Sequence, residues 1–205
     1  MIFTYVLKCG RTRNRKRDMR IVVLTKERHY EFIKKLLPNA EVTLDLPQDG
    51  GWQLICFGSS TIIPRKTLEL WDVAINFHAA PPLFPGRDPH HWAVYNSATV
   101  YGATVHAMYP AVDEGSICGQ LILGTTPPLT PREYKMIGET AMYSLFTSWC
   151  SRPTGFSFES GIEWVGKKQS RKDLIKMCDM RGLDNEEKTL RKRSFIGFEH
   201  HFIEE

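Results

Sequence analysis

Arg20-Ile21-Val22-Val23-Leu24-Thr25-Lys26-Glu27-Arg28-His29-Tyr30-Glu31-Phe32-Ile33-Lys34-Lys35-Leu36-Leu37-Pro38-Asn39-Ala40-Glu41-Val42-Thr43-Leu44-Asp45 is the stretch that decides the fold class. Residues 20–24 form a short apolar run, rich in β-branched side chains, and read as a buried strand. Thr25 can cap a helix behind it, in which Tyr30, Ile33 and Leu37 recur at i, i+3 and i+7. Pro38 stops that helix. Residues 41–45 alternate apolar and polar side chains, as a second strand does. Outward from there, a Gly/Pro/Asp turn from Pro47 to Gly51 leads to a third strand at 53–57, and residues 73–77 make a fourth. Strands alternating with helical segments predict an α/β domain with a mostly parallel sheet. The loop after the first strand lacks G-x-G-x-x-G, and no P-loop occurs, which removes the main signatures of dinucleotide and nucleoside-triphosphate binding.

Further helices announce their starts. Asp88-Pro89 supplies an N-cap and a proline at the first helical position for a short helix through Trp92 and Tyr95. Thr130-Pro131-Arg132-Glu133 is a capping box, and behind it Ile137, Ala141, Leu145 and Trp149 form one stripe. That stripe reads as core, with a ligand-lining role as the alternative. Between these helices, residues 101–109 and 117–123 read as a strand pair in which Thr104 and His106 share a face. Residues 150–155, rich in Ser, Pro and Gly, mark a boundary. Beyond it come a strand-like run at 156–165, a helix at 171–180 with Ser170 and Asp173 as a capping box, and a basic helix at 185–193. The expected organisation is a basic arm over residues 1–18, a main domain over 19–150 and a small α+β extension over 151–205.

A chain of 205 residues can bury a core without disulfides or metals. Its net charge of +4 is uneven, because residues 1–20 carry +6 and the rest of the chain −2. The basic arm can be read as a nucleic-acid or targeting contact, as a solvated arm, or as sequence upstream of a true start at Met19; charge runs are mostly solvated, which argues against nucleic acid as a partner. Residues 1–7 are apolar, but their charges follow instead of preceding them, which makes a poor secretory signal. No apolar run approaches the ~20 residues of a membrane-spanning helix. Cys9, Cys56, Cys118, Cys150 and Cys178 are odd in number, widely spaced and without C-x-x-C. That usage fits a reducing, cytoplasmic setting and no zinc or other metal site, with Cys56 reading as core.

Asn76 and His78 stand two apart at the carboxyl end of a core strand, so both side chains leave on one side, at the end of an open α/β sheet where ligands bind. A stiff Pro81-Pro82-Leu83-Phe84-Pro85-Gly86 loop follows, and Asp113 lies in a tight Val112-Asp113-Glu114-Gly115 turn. Asn, His and Asp together suit acyl transfer to an amine. The carboxylate orients His78 and favours its charged form. His78 accepts a proton or steadies the oxyanion, and Asn76 donates a hydrogen bond to the developing charge. A histidine at a strand end is also a common structural residue, so the trio alone leaves both readings open.

Three words in order carry a resemblance. Ala74-Ile75-Asn76-Phe77-His78-Ala79-Ala80 with its Pro-rich loop, Gly102-Ala103-Thr104-Val105-His106, and Val112-Asp113-Glu114-Gly115 resemble the I-N-x-H, G-x-T-x-H and V-D-x-G segments of the 10-formyltetrahydrofolate-dependent formyltransferases. That family includes glycinamide ribonucleotide transformylase, methionyl-tRNA formyltransferase and the amino-sugar N-formyltransferases. The resemblance implies a Rossmann-like, mostly parallel twisted sheet over residues 19–150 as the catalytic domain, with Asn76, His78 and Asp113 as the catalytic trio. It implies 10-formyltetrahydrofolate as formyl donor, held by Phe57, Ile62, Ile63, Val112 and Asp113 between the loop that runs from Phe57 to Pro64 and the loop ending at Asp113. Ile62 and Ile63 can equally be core. His106, Pro82 and Gly86 would border the acceptor side, and His90 and His91 would be surface or acceptor-side residues. Trp164, Arg171 and Asp173 resemble positions of the amino-sugar enzymes. The chain departs from the family at Ala80, where a serine is usual, and in a loop that reaches Gly86 one residue sooner than in the methionyl-tRNA enzymes. The segment after Cys150 is too short for the barrel that those enzymes carry.

The expected activity is therefore N-formyl transfer from 10-formyltetrahydrofolate to the primary amine of a small molecule, with a nucleotide-linked amino sugar as the preferred acceptor. Hydrolysis of the donor to formate is the alternative enzyme reading. A non-catalytic binding protein using its basic segments, at 1–18 and 188–193, is the alternative from another class. The sequence is compatible with a homo-oligomer.

Overall fold

The computed structural model describes residues 20–151 and 160–204. Its elements run β1 (Ile21–Leu24), a 3-10 turn (Glu27–His29), α1 (Tyr30–Leu36), β2 (Glu41–Thr43), β3 (Gly51–Phe57), α2 (Arg65–Leu68), β4 (Trp71–His78), α3 (Pro89–Tyr95), β5 (Val100–Ala107), β6 (Ile117–Gly124), α4 (Pro131–Ser151), α5 (Arg171–Met177) and α6 (Asn185–Ser194), with a final 3-10 turn (Glu199–His201). The strands form one six-stranded sheet in the order β2-β1-β3-β4-β5-β6. Pairings from β2 through β4 are parallel and those of β4–β5 and β5–β6 antiparallel, so the α/β reading holds with a mixed sheet. Parallel neighbours need crossovers, which α1 and α2 supply; the hairpin of β5 and β6 needs none.

Alternation along the central strands divides the buried side chains between two faces. Val23, Ile55, Phe57, Ile75, Phe77, Ala103 and Val105 meet Ala141, Met142, Leu145, Phe146 and Trp149 of α4 in the main core. The expected stripe on α4 is thus packed, Ile137 joining a second cluster instead. On the opposite face Val22, Leu24, Leu54, Cys56, Ile63 and Trp71 make a smaller core. The cap of α4 is as read: Thr130 Oγ1 accepts from Glu133 N at 3.3 Å and Glu133 Oε2 accepts from Thr130 N at 2.7 Å. The box at Ser170 and Asp173 forms in the same way.

Some local readings give way to tertiary contacts. Thr25 caps no helix; its hydroxyl donates to Phe57 O at 2.8 Å across the sheet, and the helix is delayed by a 3-10 turn. Asp88 takes a left-handed backbone (φ 56) and makes no side-chain cap, because its carboxylate pairs with Arg171, Nε to Oδ2 at 2.8 Å. The strand-like reading of 156–165 lies outside the described residues up to 159, and residues 160–165 form no strand, since Val165 N and Gly166 N both donate to Pro82 O instead of extending a ladder. Among the described residues after 151, the extension holds α5, α6, the final 3-10 turn and two isolated bridges. It shares a core with the main body: Leu174, Cys178, Phe195 and Phe198 pack with Phe84, Trp92, Tyr101 and Tyr134.

Candidate functional site

Ile75 and Phe77 point into the main core, so Asn76 and His78 project from the face turned away from α4. Antiparallel β5 sets His106 opposite Asn76 and Thr104 opposite His78, and directly opposed residues share a face. Thr104 donates its hydroxyl to Ala80 O at 2.8 Å, which pins the chain as it leaves β4. Gly138 of α4 makes room for that exit, since any Cβ there would run into Ala79 O.

Asp113 comes from the loop between β5 and β6. Its φ of 51 is left-handed, uncommon for a residue other than glycine, and it turns the carboxylate back onto the sheet. There Oδ2 accepts from Gly86 N at 2.7 Å and stands 3.7 Å from His78 Nδ1, while Oδ1 lies 3.3 Å from His106 Nε2. Asn76 Nδ2 is 3.1 Å from the same His106 nitrogen, and His78 Nε2 donates to Phe84 O at 3.2 Å. A carbonyl only accepts, so the 2.8 Å contact of His106 Nδ1 with Ala107 O places a hydrogen on Nδ1. His106 Nε2 then either accepts from Asn76 or, protonated, donates to Asp113. Burial of Asp113 works against its charge. The facing charge of His78, the hydrogen bond and charge of His106 and the Gly86 N–H outweigh that cost and hold the carboxyl well below the usual carboxylate range.

The sequence-predicted residues fall into three groups. Asn76, His78, His106, Asp113 and the backbone of Gly86 converge. Ile63 and Val112 lie on the loops after β3 and after β5: Ile63 is buried in the smaller core, against which Met108 packs, Val112 is exposed, and Ile62 is 66% exposed. Phe57 lies apart, its ring fully buried among Phe32, Phe77 and Phe146 and its carbonyl taken by Thr25, so its side chain is not available to a ligand. Pro82 is buried and offers only its carbonyl, to residues 165 and 166. His91 is buried, with Nδ1 donating to Ser194 O at 2.7 Å, which corrects the expectation of a surface or acceptor-side role. Arg171 and Asp173 hold Asp88 and the cap of α5.

Trp164, which the sequence marks only by its resemblance to a position of the amino-sugar enzymes, reaches the site. Its indole N–H donates to Gly115 O at 2.9 Å, and its ring meets His106 edge-on at 5.1 Å and His78 at 6.0 Å. A cleft of 560 Å³ opens beside it, with Asp113, Ser116 and Ile117 on one wall and Ile162, Glu163 and Trp164 on the other. Among the described residues, no helix is long and apolar enough to cross a membrane.

Known proteins share this fold. No curated protein matches the chain in sequence. The structure resembles a sugar N-formyltransferase from a Shewanella species at 13% identity, covering 86% of this chain and 87% of that one with a TM-score of 0.68. It resembles a formyltransferase from Anoxybacillus kamchatkensis, in complex with UDP-4,6-dideoxy-4-formamido-L-AltNAc and tetrahydrofolate, at 23% identity over 77% and 88% of the two chains, TM-score 0.62. Phosphoribosylglycinamide formyltransferase from Streptococcus pneumoniae matches at 16% identity over 67% of this chain and 100% of its own, TM-score 0.56. At these identities the likeness establishes the fold. The family model described as formyl transferase matches residues 7–144, and the chain belongs to that family.

Proposed function

We propose that this protein is an N-formyltransferase that takes the formyl group of 10-formyltetrahydrofolate to the primary amine of a small molecule, a nucleotide-linked amino sugar being the acceptor class. The observation that carries the reading is the convergence of Asn76, His78, His106 and Asp113 on the sheet face turned away from α4. The residues present fit the donor. Ile63 of the loop after β3 belongs to the smaller core against which Met108 of the loop after β5 packs, and the two loops leave Ile62 and Val112 as exposed aliphatic surface for a flat heteroaromatic. Bound there, the folate supplies an activated formyl group on nitrogen.

The chain's own residues supply the rest. His78, oriented by the ionised Asp113, gives the Nε2 hydrogen that faces Phe84 O to the formyl oxygen as charge develops there, and the nitrogen so freed takes the proton that the amine gives up. Its 3.2 Å bond to Phe84 O is long enough to be exchanged for a substrate. Asn76 donates an amide hydrogen to the formyl oxygen as charge develops on it, an effect of about 3 kcal/mol for a single well-placed donor. His106, locked between Ala107 O and Asp113, keeps Asn76 and the carboxylate in register. Support for the acceptor class comes from the Anoxybacillus kamchatkensis enzyme, whose complex holds tetrahydrofolate and a UDP-linked formamido sugar.

Spectroscopic turnover of 10-formyltetrahydrofolate, screened over UDP- and dTDP-linked amino sugars, tests this. Donor loss that requires an amino sugar and yields its formamide is the expected result. Donor loss without any amine would show a hydrolase, and no donor loss in folded protein would overturn the reading.

A further inference from the structure

We infer that Trp164, from the segment after α4, is a positioning residue of this site: it holds the Asp113 loop against the two histidines and shields them from water. The assignment rests on the formyl-transfer reading for its consequence, but not for its geometry. Residues 164–169 run as a strap across the mouth of the site. Val165 N and Gly166 N donate to Pro82 O at 3.2 and 3.3 Å, Gln169 N to Pro85 O at 3.1 Å, and Arg87 N to Gln169 O at 2.8 Å. The strap is thereby fastened to the very loop that follows His78. Its other fastening is on the Asp113 loop, through the Trp164 indole bond to Gly115 O and an ion pair of Lys168 with Glu114. Trp164 thus ties together two loops that lie about 30 residues apart in sequence, by one directional bond and one apolar face.

Its ring does what no polar residue could at that position. It stands nearly perpendicular to both imidazoles, at interplanar angles of 82° to His106 and 71° to His78, so its apolar surface walls them from the open cleft. His106 is 2% exposed behind it, and Asp113, at the edge of the cleft, is 6% exposed. Removing that wall admits water to a carboxylate–imidazole pair whose mutual attraction depends on being dry. The charged groups beside the pair are Glu114 and Lys168, paired at the cleft mouth, and Glu163, which lines the cleft just before the strap. Loosened in this way, the site would still bind its substrates but would orient His78 poorly and let water compete with the amine.

Labelling of imidazoles by diethyl pyrocarbonate, mapped residue by residue, tests the geometry without any turnover. Trp164→Leu is expected to raise labelling of His106 and His78 about tenfold, with His29, buried under α4, unchanged as the control for general loosening. Trp164→Phe keeps a ring but loses the bond to Gly115, and a rise of about threefold confined to the same two histidines is expected. Should Trp164→Leu fail to fold, Trp164→Phe decides by the same criterion. Unchanged labelling at His106 and His78, or an equal rise at His29, would overturn the assignment whether or not the protein transfers formyl groups. In turnover, Trp164→Leu should lower kcat about tenfold with the KM for the amine within about threefold, and raise the share of formyl lost as formate. An unchanged share with a raised KM would make Trp164 a binding residue and overturn the shielding role.

Discussion

Asp113 accepts a 2.7 Å hydrogen bond from the backbone N–H of Gly86, and through it the loop after β4 and the loop after β5 close on one carboxylate. The same carboxylate faces His78 and His106, so it serves at once as a structural clasp and as the charge of the site. Asp113→Ala leaves the Gly86 N–H without its acceptor and two imidazoles without the carboxylate that faces them. A loss of about 3 kcal/mol in urea unfolding is expected, together with a drop in kcat of two orders of magnitude or more. Asp113→Asn, which can still accept from Gly86, should recover part of the stability and little of the rate. Equal recovery of both would mean that charge is not what the site needs from Asp113.

Gly86 has φ 97, and any Cβ on it would run into the Gln169 backbone. Gly86→Ala is therefore strained twice, by conformation and by contact, at a cost of about 2 kcal/mol. It should also move the N–H off Asp113, so the fall in kcat should exceed what the fraction folded explains. A variant with normal kcat after correction for folding would show that the clasp is not needed for turnover.

The trio is expected to act as one unit. Asn76→Ala and His78→Ala should each lower kcat by about 10²-fold or more, and the double variant should be little worse than the poorer single one. Strictly multiplicative losses, measured under saturating donor, would separate the two residues into independent roles.

His90 predicts an acid limb in stability. Burial first, then the charges of His91, Lys135 and Arg171, push its imidazole down to about 3. The folded state thus resists a proton that the unfolded chain accepts near pH 6.5. Because the unfolded state binds more protons below that pH, stability should fall as pH drops from about 7 toward 4. His91, lowered mainly by burial, adds to the same trend. His90→Asn should flatten the decline seen in chemical unfolding at pH 7, 5.5 and 4.5. Asp113 contributes in a different window: its carboxyl is depressed, so its stabilisation is complete above about pH 5 and is lost as pH falls below the unfolded value near 3.9. An undiminished slope in His90→Asn would assign the acid sensitivity elsewhere.

The α/β class, the cap of α4 and the box at Ser170 were legible because each is written in residues three or four apart, where local geometry alone sets who meets whom. Asn76 and His78 were legible for the same reason, two positions apart on one strand, and the words around them pointed to Asp113. Long-range partners decided the rest. Thr25 carries a good capping side chain, yet its hydroxyl goes to Phe57, 32 residues on, because β1 and β3 are neighbours. Asp88 stands at the N-cap of α3, yet its carboxylate answers Arg171 and not the helix. Phe57 sits at the mouth of a ligand loop in sequence, but alternation along β3 turns its ring into the core under α4. Trp164 meets His78 and His106 only because its strap bonds to the Pro82 and Pro85 carbonyls. Local chemistry in the sequence determined which residues were candidates for the site; the tertiary structure decided which of them meet, since partners tens of residues apart are chosen by packing and by satisfying buried polar groups, and leave no periodic trace along the chain.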